Sequence, residues 1–297
     1  MVAAPATGVA KVPERLLVDC RSRFGGRGAA HQNPHPPIAR TRTSTDDDVR
    51  GAALGAFAAE HPRLEFAPVV VVIAALDEEH GLATVLREVP SEALGLEIDV
   101  LVVDDGSTDR TSEVARAGGA RVVRLARNCG HGVALRVGYQ LAWEHGAQYI
   151  GTLDGDGQWD PAYLPTVLEP VVAGEADLVI GSRVLGVTED GDRVRRAGVR
   201  VFSALIRLLT GSAITDTSSG LRAMRVEVAQ TVRQVQVQYQ TSELLIGALM
   251  QGYRVLERPI HHRRRMGGRT KKGHNVLYGL RYARVIFATW ARERRRA

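Results

Sequence analysis

Asp154-Gly155-Asp156-Gly157-Gln158 sets two carboxylates two residues apart, directly after the apolar run Tyr149-Ile150-Gly151-Thr152-Leu153. Side chains of an extended chain alternate sides, so Asp154 and Asp156 point the same way and can converge on one cation. Oxygen donors suit Mg²⁺ or Mn²⁺, which take one or two carboxylates from the protein and fill their remaining positions with water and substrate phosphate. With no His or Cys beside the pair, zinc is disfavoured. Gly155 and Gly157 let a bulky anion approach the main chain. An Asp-Gly turn is also an ordinary solvated feature, so the pair takes its meaning from the elements that position it.

Those elements read as buried parallel strands. Val100-Leu101-Val102-Val103 is a continuous β-branched and aliphatic run that breaks into Asp104-Asp105-Gly106-Ser107-Thr108-Asp109. Val69 to Ala75 is a second such run, followed by Leu76-Asp77-Glu78-Glu79 and a helical pattern over Gly81 to Val89. Three apolar strands each end in acidic residues, and in open α/β sheets ligands bind just beyond the carboxyl ends of the strands.

Taken in order, the motifs resemble one family. Ala74-Ala75-Leu76-Asp77-Glu78-Glu79 resembles an opening Pro-x-x-Asn-Glu-Glu nucleotide contact, and Val103-Asp104-Asp105-Gly106-Ser107 a second one. Asn128-Cys129-Gly130-His131-Gly132 resembles an Asn-x-Gly-x-Gly turn, and Asp154, Asp156 and Gln158 match an Asp-x-Asp-x-Gln metal pattern. Gly181-Ser182-Arg183, Asp216 to Arg222, and Arg265-x-x-Gly268-x-Thr270-Lys271 follow. The chain is identified as a member of the family 2 glycosyltransferases of GT-A fold, in the dolichyl-phosphate mannose synthase-like branch, with the similarity running from about Val69 to Lys271.

The resemblance implies an α/β, Rossmann-like, mixed but mostly parallel sheet flanked by helices in a single catalytic domain. It implies an inverting, metal-dependent transfer of a sugar from a GDP- or UDP-sugar to a polyprenyl phosphate. Donor contacts would come from Ala74, Leu76, Asp77, Glu78, Val103, Asp105, Asn128 and Gly155, and metal ligands from Asp154, Asp156 and Gln158. The family's Pro and Asn are Ala74 and Asp77 here, and a Ser position beyond Arg195 is Val199.

Phosphate oxygen is already anionic near neutral pH and needs no base, whereas a hydroxyl acceptor does. Arg183, Arg195 and Arg265 would orient an acceptor phosphate. Thr270 and Lys271 belong to a glycine-containing segment able to close over it, with Arg supplying a bidentate fork and Lys a point charge. Hydroxyl-using relatives resemble one another in a Glu-Asp pair before a Gly-Tyr; here it is Glu243-Leu244 before Gly252-Tyr253. Glu243 remains as a candidate base, or as a helix-start carboxylate after Thr241 and Ser242. The alternatives are a transferase for a small hydroxylated acceptor such as a glycerate, and a nucleotide-sugar-binding module without turnover.

At 297 residues and 44% hydrophobic content the chain suits one large domain with appendages. It shows no run of ~18 apolar residues and no secretory leader. Two cysteines, Cys20 and Cys129, give no disulfide framework, which fits a reducing cytoplasm. Residues 1–67 read as a poorly ordered extension, apart from a short helix over Asp47 to Glu60; 68–273 is the catalytic domain and 274–297 a basic helix. From Arg254 onward, fourteen Lys and Arg face two acidic residues, although the whole chain is only +6. Without interleaved aromatics this does not read as nucleic-acid binding. Leu277, Leu280, Phe287 and Trp290 with basic flanks predict a helix that lies on an anionic membrane surface, cytoplasmic and peripheral, or packs on the domain with its arginines in solvent. His261 and His262, adjacent and alternating in direction, suit one metal poorly.

Overall fold

The computed structural model describes residues 44–189, 193–265 and 276–296. Helix α1 (Ser44–Glu60) leads into strand β1 (Val69–Ala75), then α2 (Glu79–Glu88), β2 (Glu92–Ala93), β3 (Leu96–Asp104), α3 (Thr111–Ala117) and β4 (Arg121–Arg124). Next come α4 (His131–Glu144), β5 (Tyr149–Asp154), α5 (Leu164–Val172), β6 (Leu178–Thr188), α6 (Arg193–Thr210), β7 (Arg222–Arg225) and α7 (Val226–Thr231). Helix α8 (Gln240–Met250), β8 (Val255–His262) and α9 (Val276–Arg294) complete the order.

The sheet runs β2-β3-β1-β5-β7-β6-β8, with β4 also paired to β3. β1 pairs in parallel with β3 on one side and β5 on the other, while β7 is antiparallel to both β5 and β6. The mixed, mostly parallel GT-A-type sheet expected from the sequence is therefore present. Every residue of β1 is buried, and its alternation divides two cores. Val70, Val72 and Ala74 pack with α1, α4 and α7; Val69, Val71, Ile73 and Ala75 pack with α2 and α5. A third cluster joins α6, α8 and α9 through Ile206, Ile246, Tyr282 and Ile286.

One boundary differs from the sequence expectation. The N-terminal helix begins at Ser44 and places Ala53 and Phe57 in the core beside α4, so the folded unit starts well before Val69. Helix α9 buries Tyr282, Val285, Ile286 and Thr289 against the domain. Of the two expectations for the basic helix, packing on the domain is what these residues do. Its outward face is described below.

Candidate active site

Register alone brings the acidic strand ends together. Ala74 of β1 lies level with Val103 of β3 and Asp154 of β5, and Ala75 with Asp104. The turns after these strands therefore form one edge, holding Asp77, Glu78, Asp105, Asp154 and Asp156. Helix α2 lies so close to the Asp154–Asp156 turn that a Cβ on Gly81 would stand 2.8 Å from the Gly155 carbonyl oxygen.

Asp77 follows β1 in the left-handed region, at φ 46°, which short polar side chains tolerate better than most. Its Oδ1 accepts hydrogen bonds from the Thr108 N–H (2.7 Å) and Oγ1 (3.2 Å), and its own N–H donates to Ser107 Oγ at 2.9 Å. The charge that departs from the family's Asn thus ties the first nucleotide-contact turn to the second. Asp104 is fully buried, receiving the Ser107 N–H, the Ser112 hydroxyl and Arg124. Asp105 accepts the main-chain N–H groups of Cys129 (2.7 Å) and Gly130 (2.8 Å), which fastens the Asn128–Gly132 turn to β3. Burial pushes the Asp105 carboxyl up to about 6, against the pull of those two hydrogen bonds.

In the acidic pair, Asp156 Oδ1 accepts the Gln158 N–H at 3.0 Å and its Oδ2 accepts from Arg265 at 3.0 Å. The same guanidinium also binds Glu78 Oε1, so Arg265 bridges the first strand's turn to the third's. Asp154 Oδ2 accepts the indole N–H of Trp159 at 2.9 Å. Among the described residues no three His, Cys, Asp or Glu side chains form a metal-holding group. Two carboxylates with an amide nearby is the small protein share that Mg²⁺ or Mn²⁺ takes when substrate phosphates supply other oxygens, so the donor set fits such an ion.

The remaining candidates fall in different surroundings. Arg183 is nearly buried; it forms an ion pair with fully buried Asp216 at 3.0 Å, donates to Ser218 Oγ at 2.6 Å and lies 5.2 Å above the Trp159 ring. Glu243 is fully buried at the start of α8. One oxygen accepts the Val235 and Gln236 N–H groups at 2.9 and 2.8 Å, and the other pairs with Arg292 of α9 at 2.7 Å. Arg195 lies on α6 with its side chain outside the described residues, as do Thr270 and Lys271 entirely. His261 pairs with Glu189, and buried His262 stacks edge-on with Trp159 at 4.6 Å, so the two diverge.

Sequence reasoning gave no role to Trp159 or Glu257. Glu257 on β8 accepts the N–H groups of Thr215 and Asp216, each at 2.8 Å, and so holds the loop that holds Arg183. Nothing in local spacing marks Glu257, because its partners lie about forty residues away. Trp159 adjoins the acidic motif, and the available signal was a donor-only indole five residues from Asp154.

The family model described as Glycosyl transferase family 2 matches residues 70–233. A dolichyl-phosphate hexose transferase of Haloferax volcanii is 35% identical over 202 residues, covering 68% of this chain and 86% of that protein. An undecaprenyl-phosphate 4-deoxy-4-formamido-L-arabinose transferase of Edwardsiella ictaluri is 28% identical, covering 74% of this chain and 68% of that protein. Among solved structures, glucosyl-3-phosphoglycerate synthase from Mycobacterium tuberculosis, in complex with Mn²⁺, UDP-glucose and phosphoglyceric acid, superposes with a TM-score of 0.61 at 21% identity. That match covers 85% of this chain and 86% of the other, and it shows a shared fold. With the strand-end carboxylates, the turn motifs and the fold in agreement, the chain belongs to glycosyl transferase family 2, in its dolichyl-phosphate mannose synthase-like branch.

Proposed function

We propose that this protein is an inverting, metal-dependent glycosyltransferase that moves a sugar from a nucleotide diphosphate to a polyprenyl phosphate at the cytoplasmic face of a membrane. The observation that carries the reading is Arg265, whose one guanidinium touches both Asp156 and Glu78. It sets a bidentate phosphate-binding cation at the edge where the donor diphosphate must lie.

Asp154, Asp156 and Gln158 would hold Mg²⁺ or Mn²⁺, which supplies charge neutralisation to the departing diphosphate. Asp77, Glu78, Asp105 and Asn128, with the main chain of Ala74, Leu76, Val103 and Gly155, frame the donor. A phosphate acceptor requires no proton removal, and Glu243, committed to Arg292 and two main-chain N–H groups, is consistent with that. Arg265 then orients the attacking oxygen, together with the segment that follows it.

Membrane attachment would use the outer faces of α6 and α9. Val201, Leu208, Leu280 and Phe287 are exposed there, Leu208 by 81%. Arg196, Arg200, Arg207, Arg281 and Arg284 flank them; α6 has no acidic residue, and the sole acid of α9, Glu293, is buried. Such a face suits the headgroup layer of an anionic bilayer. No described helix is long and apolar enough to cross a membrane.

The test is sugar transfer from UDP- and GDP-sugars to a short polyprenyl phosphate, the matching polyprenol and 3-phosphoglycerate, using wild type and Arg265→Lys. Polyprenyl phosphate should be the acceptor, and Arg265→Lys should slow transfer by on the order of a hundredfold because Lys lacks the fork and the misplacement is felt at the reacting atoms. Equal use of the alcohol, or preference for 3-phosphoglycerate, would overturn the reading.

A further inference from the structure

Trp159 is 2% exposed, and its indole N–H, a donor with no acceptor capacity, is directed at a carboxylate of the acidic motif. Three contacts fix the ring. His262 packs edge-on against it, Arg183 lies over it, and a main-chain bridge joins residue 159 to residue 262 of β8. Arg183 is itself immobilised by Asp216, and the Asp216 N–H by Glu257. A positive charge over an indole face is attracted to the ring and strengthens its N–H as a donor.

The other side of the pair is closed by Gly220. A Cβ built there would stand 2.5 Å from Trp159 Nε1 and 2.6 Å from Asp154 Oδ2. The Gly220 carbonyl accepts the Thr152 hydroxyl at 2.7 Å, so the loop cannot simply retreat from β5. The Asp154 carboxylate is thus set between a fixed donor and a main chain that leaves no room for a side chain.

We infer that Trp159 is a positioning residue for Asp154: its N–H sets the plane of that carboxylate, and Gly220 provides the clearance that lets the two meet. This rests on the reading of Asp154 and Asp156 as metal ligands. A ligating carboxylate whose orientation is fixed by an outer hydrogen bond typically loses ten- to a hundredfold in metal affinity or activity when that bond is removed.

The experiment measures Mn²⁺ binding by the EPR signal of free Mn²⁺, at saturating UDP or GDP, whichever the wild type binds. Thermal melting checks that each variant is folded. Trp159→Phe keeps a ring under Arg183 and beside His262 but has no N–H, and should weaken Mn²⁺ binding about tenfold, while nucleotide affinity in EDTA stays at the wild-type value. Gly220→Ala, which alters neither partner chemically, should weaken Mn²⁺ in the same direction. Asp156→Asn is the control for the underlying reading. If wild type and Asp156→Asn bind Mn²⁺ alike, the metal site is wrong and the inference falls with it. If Asp156→Asn loses Mn²⁺ while folded Trp159→Phe and Gly220→Ala both bind within twofold of wild type, the metal site stands and the role of Trp159 is refuted.

Discussion

Replacing Arg292 by Met removes one guanidinium and leaves a hydrocarbon stem of similar length, and its cost follows from what remains buried. Glu243 is fully buried and would keep the two N–H groups on Oε2 but lose its cation on Oε1. Glu293, also buried, would lose the same guanidinium at 2.8 Å, and the Arg233 carbonyl would lose a donor. Breaking a buried ion pair from one side costs about 3–5 kcal/mol, and the surviving hydrogen bonds on Glu243 place this case near 3. For a folded unit of this size, each kcal/mol moves the melting temperature by about 2–4 °C, so Arg292→Met should melt about 6–12 °C below wild type. Differential scanning calorimetry measures it. The double variant Glu243→Gln/Arg292→Met should recover much of the loss, since it no longer leaves that charge without its cation. A drop below about 1 kcal/mol, the size of a surface pair, would refute the claim that α9 is clamped to α8 through a desolvated charge.

Two further outcomes are expected. Because burial raises the Asp105 carboxyl from 3.8 to about 6, the native state holds its proton more tightly than the unfolded chain. The resulting stabilisation is complete below pH 3.8 and is lost as pH rises through 6, on the order of 3 kcal/mol in all. Urea melts from pH 4 to 7 should show this fall in wild type and not in Asp105→Asn; an identical slope in both would refute it. On the outer faces of α6 and α9, sedimentation with anionic phosphatidylglycerol vesicles should show binding that weakens with salt and drops in Leu208→Glu and Phe287→Glu. Salt-independent binding, or wild-type binding by both variants, would remove these faces from the membrane reading.

The sheet centre and the acidic edge were legible because both are local. β1 and β3 are apolar runs that stop at carboxylates, and parallel register then aligns their ends. Asp154 ends β5 and Asp156 falls in the turn beyond it, so strand alternation does not fix their relative direction. What sequence left open depended on partners far apart in the chain. Asp77 stands where the family has Asn, and only the fold shows Thr108, thirty-one residues on, hydrogen-bonded to it. Glu243 looked equally like a base and a helix-start carboxylate, and only the return of α9 put Arg292 against it. Helix α1 was visible as a helix, but its Ala53 and Phe57 declare themselves core residues only when α4 is packed across them. The basic C-terminal helix was read from the stripe Leu277, Leu280, Phe287 and Trp290, yet Leu280 and Phe287 are exposed and the buried residues are Tyr282, Val285, Ile286 and Thr289.

Of the three arginines proposed from sequence for the acceptor, the two whose side chains are described divide by what they touch. Arg183 spends its guanidinium on Asp216, Ser218 and the Trp159 ring, all buried or nearly so, and moving it to a ligand would leave Asp216 charged and unpaired in the interior. Arg265 is partly exposed, and both its acidic partners lie on the ligand edge. Exchanging those carboxylates for phosphate oxygens would swap one charge-assisted bond for another without stranding a charge in the core. The proposed acceptor role therefore suits Arg265 better than Arg183, whose guanidinium is committed to Asp216, Ser218 and the Trp159 ring.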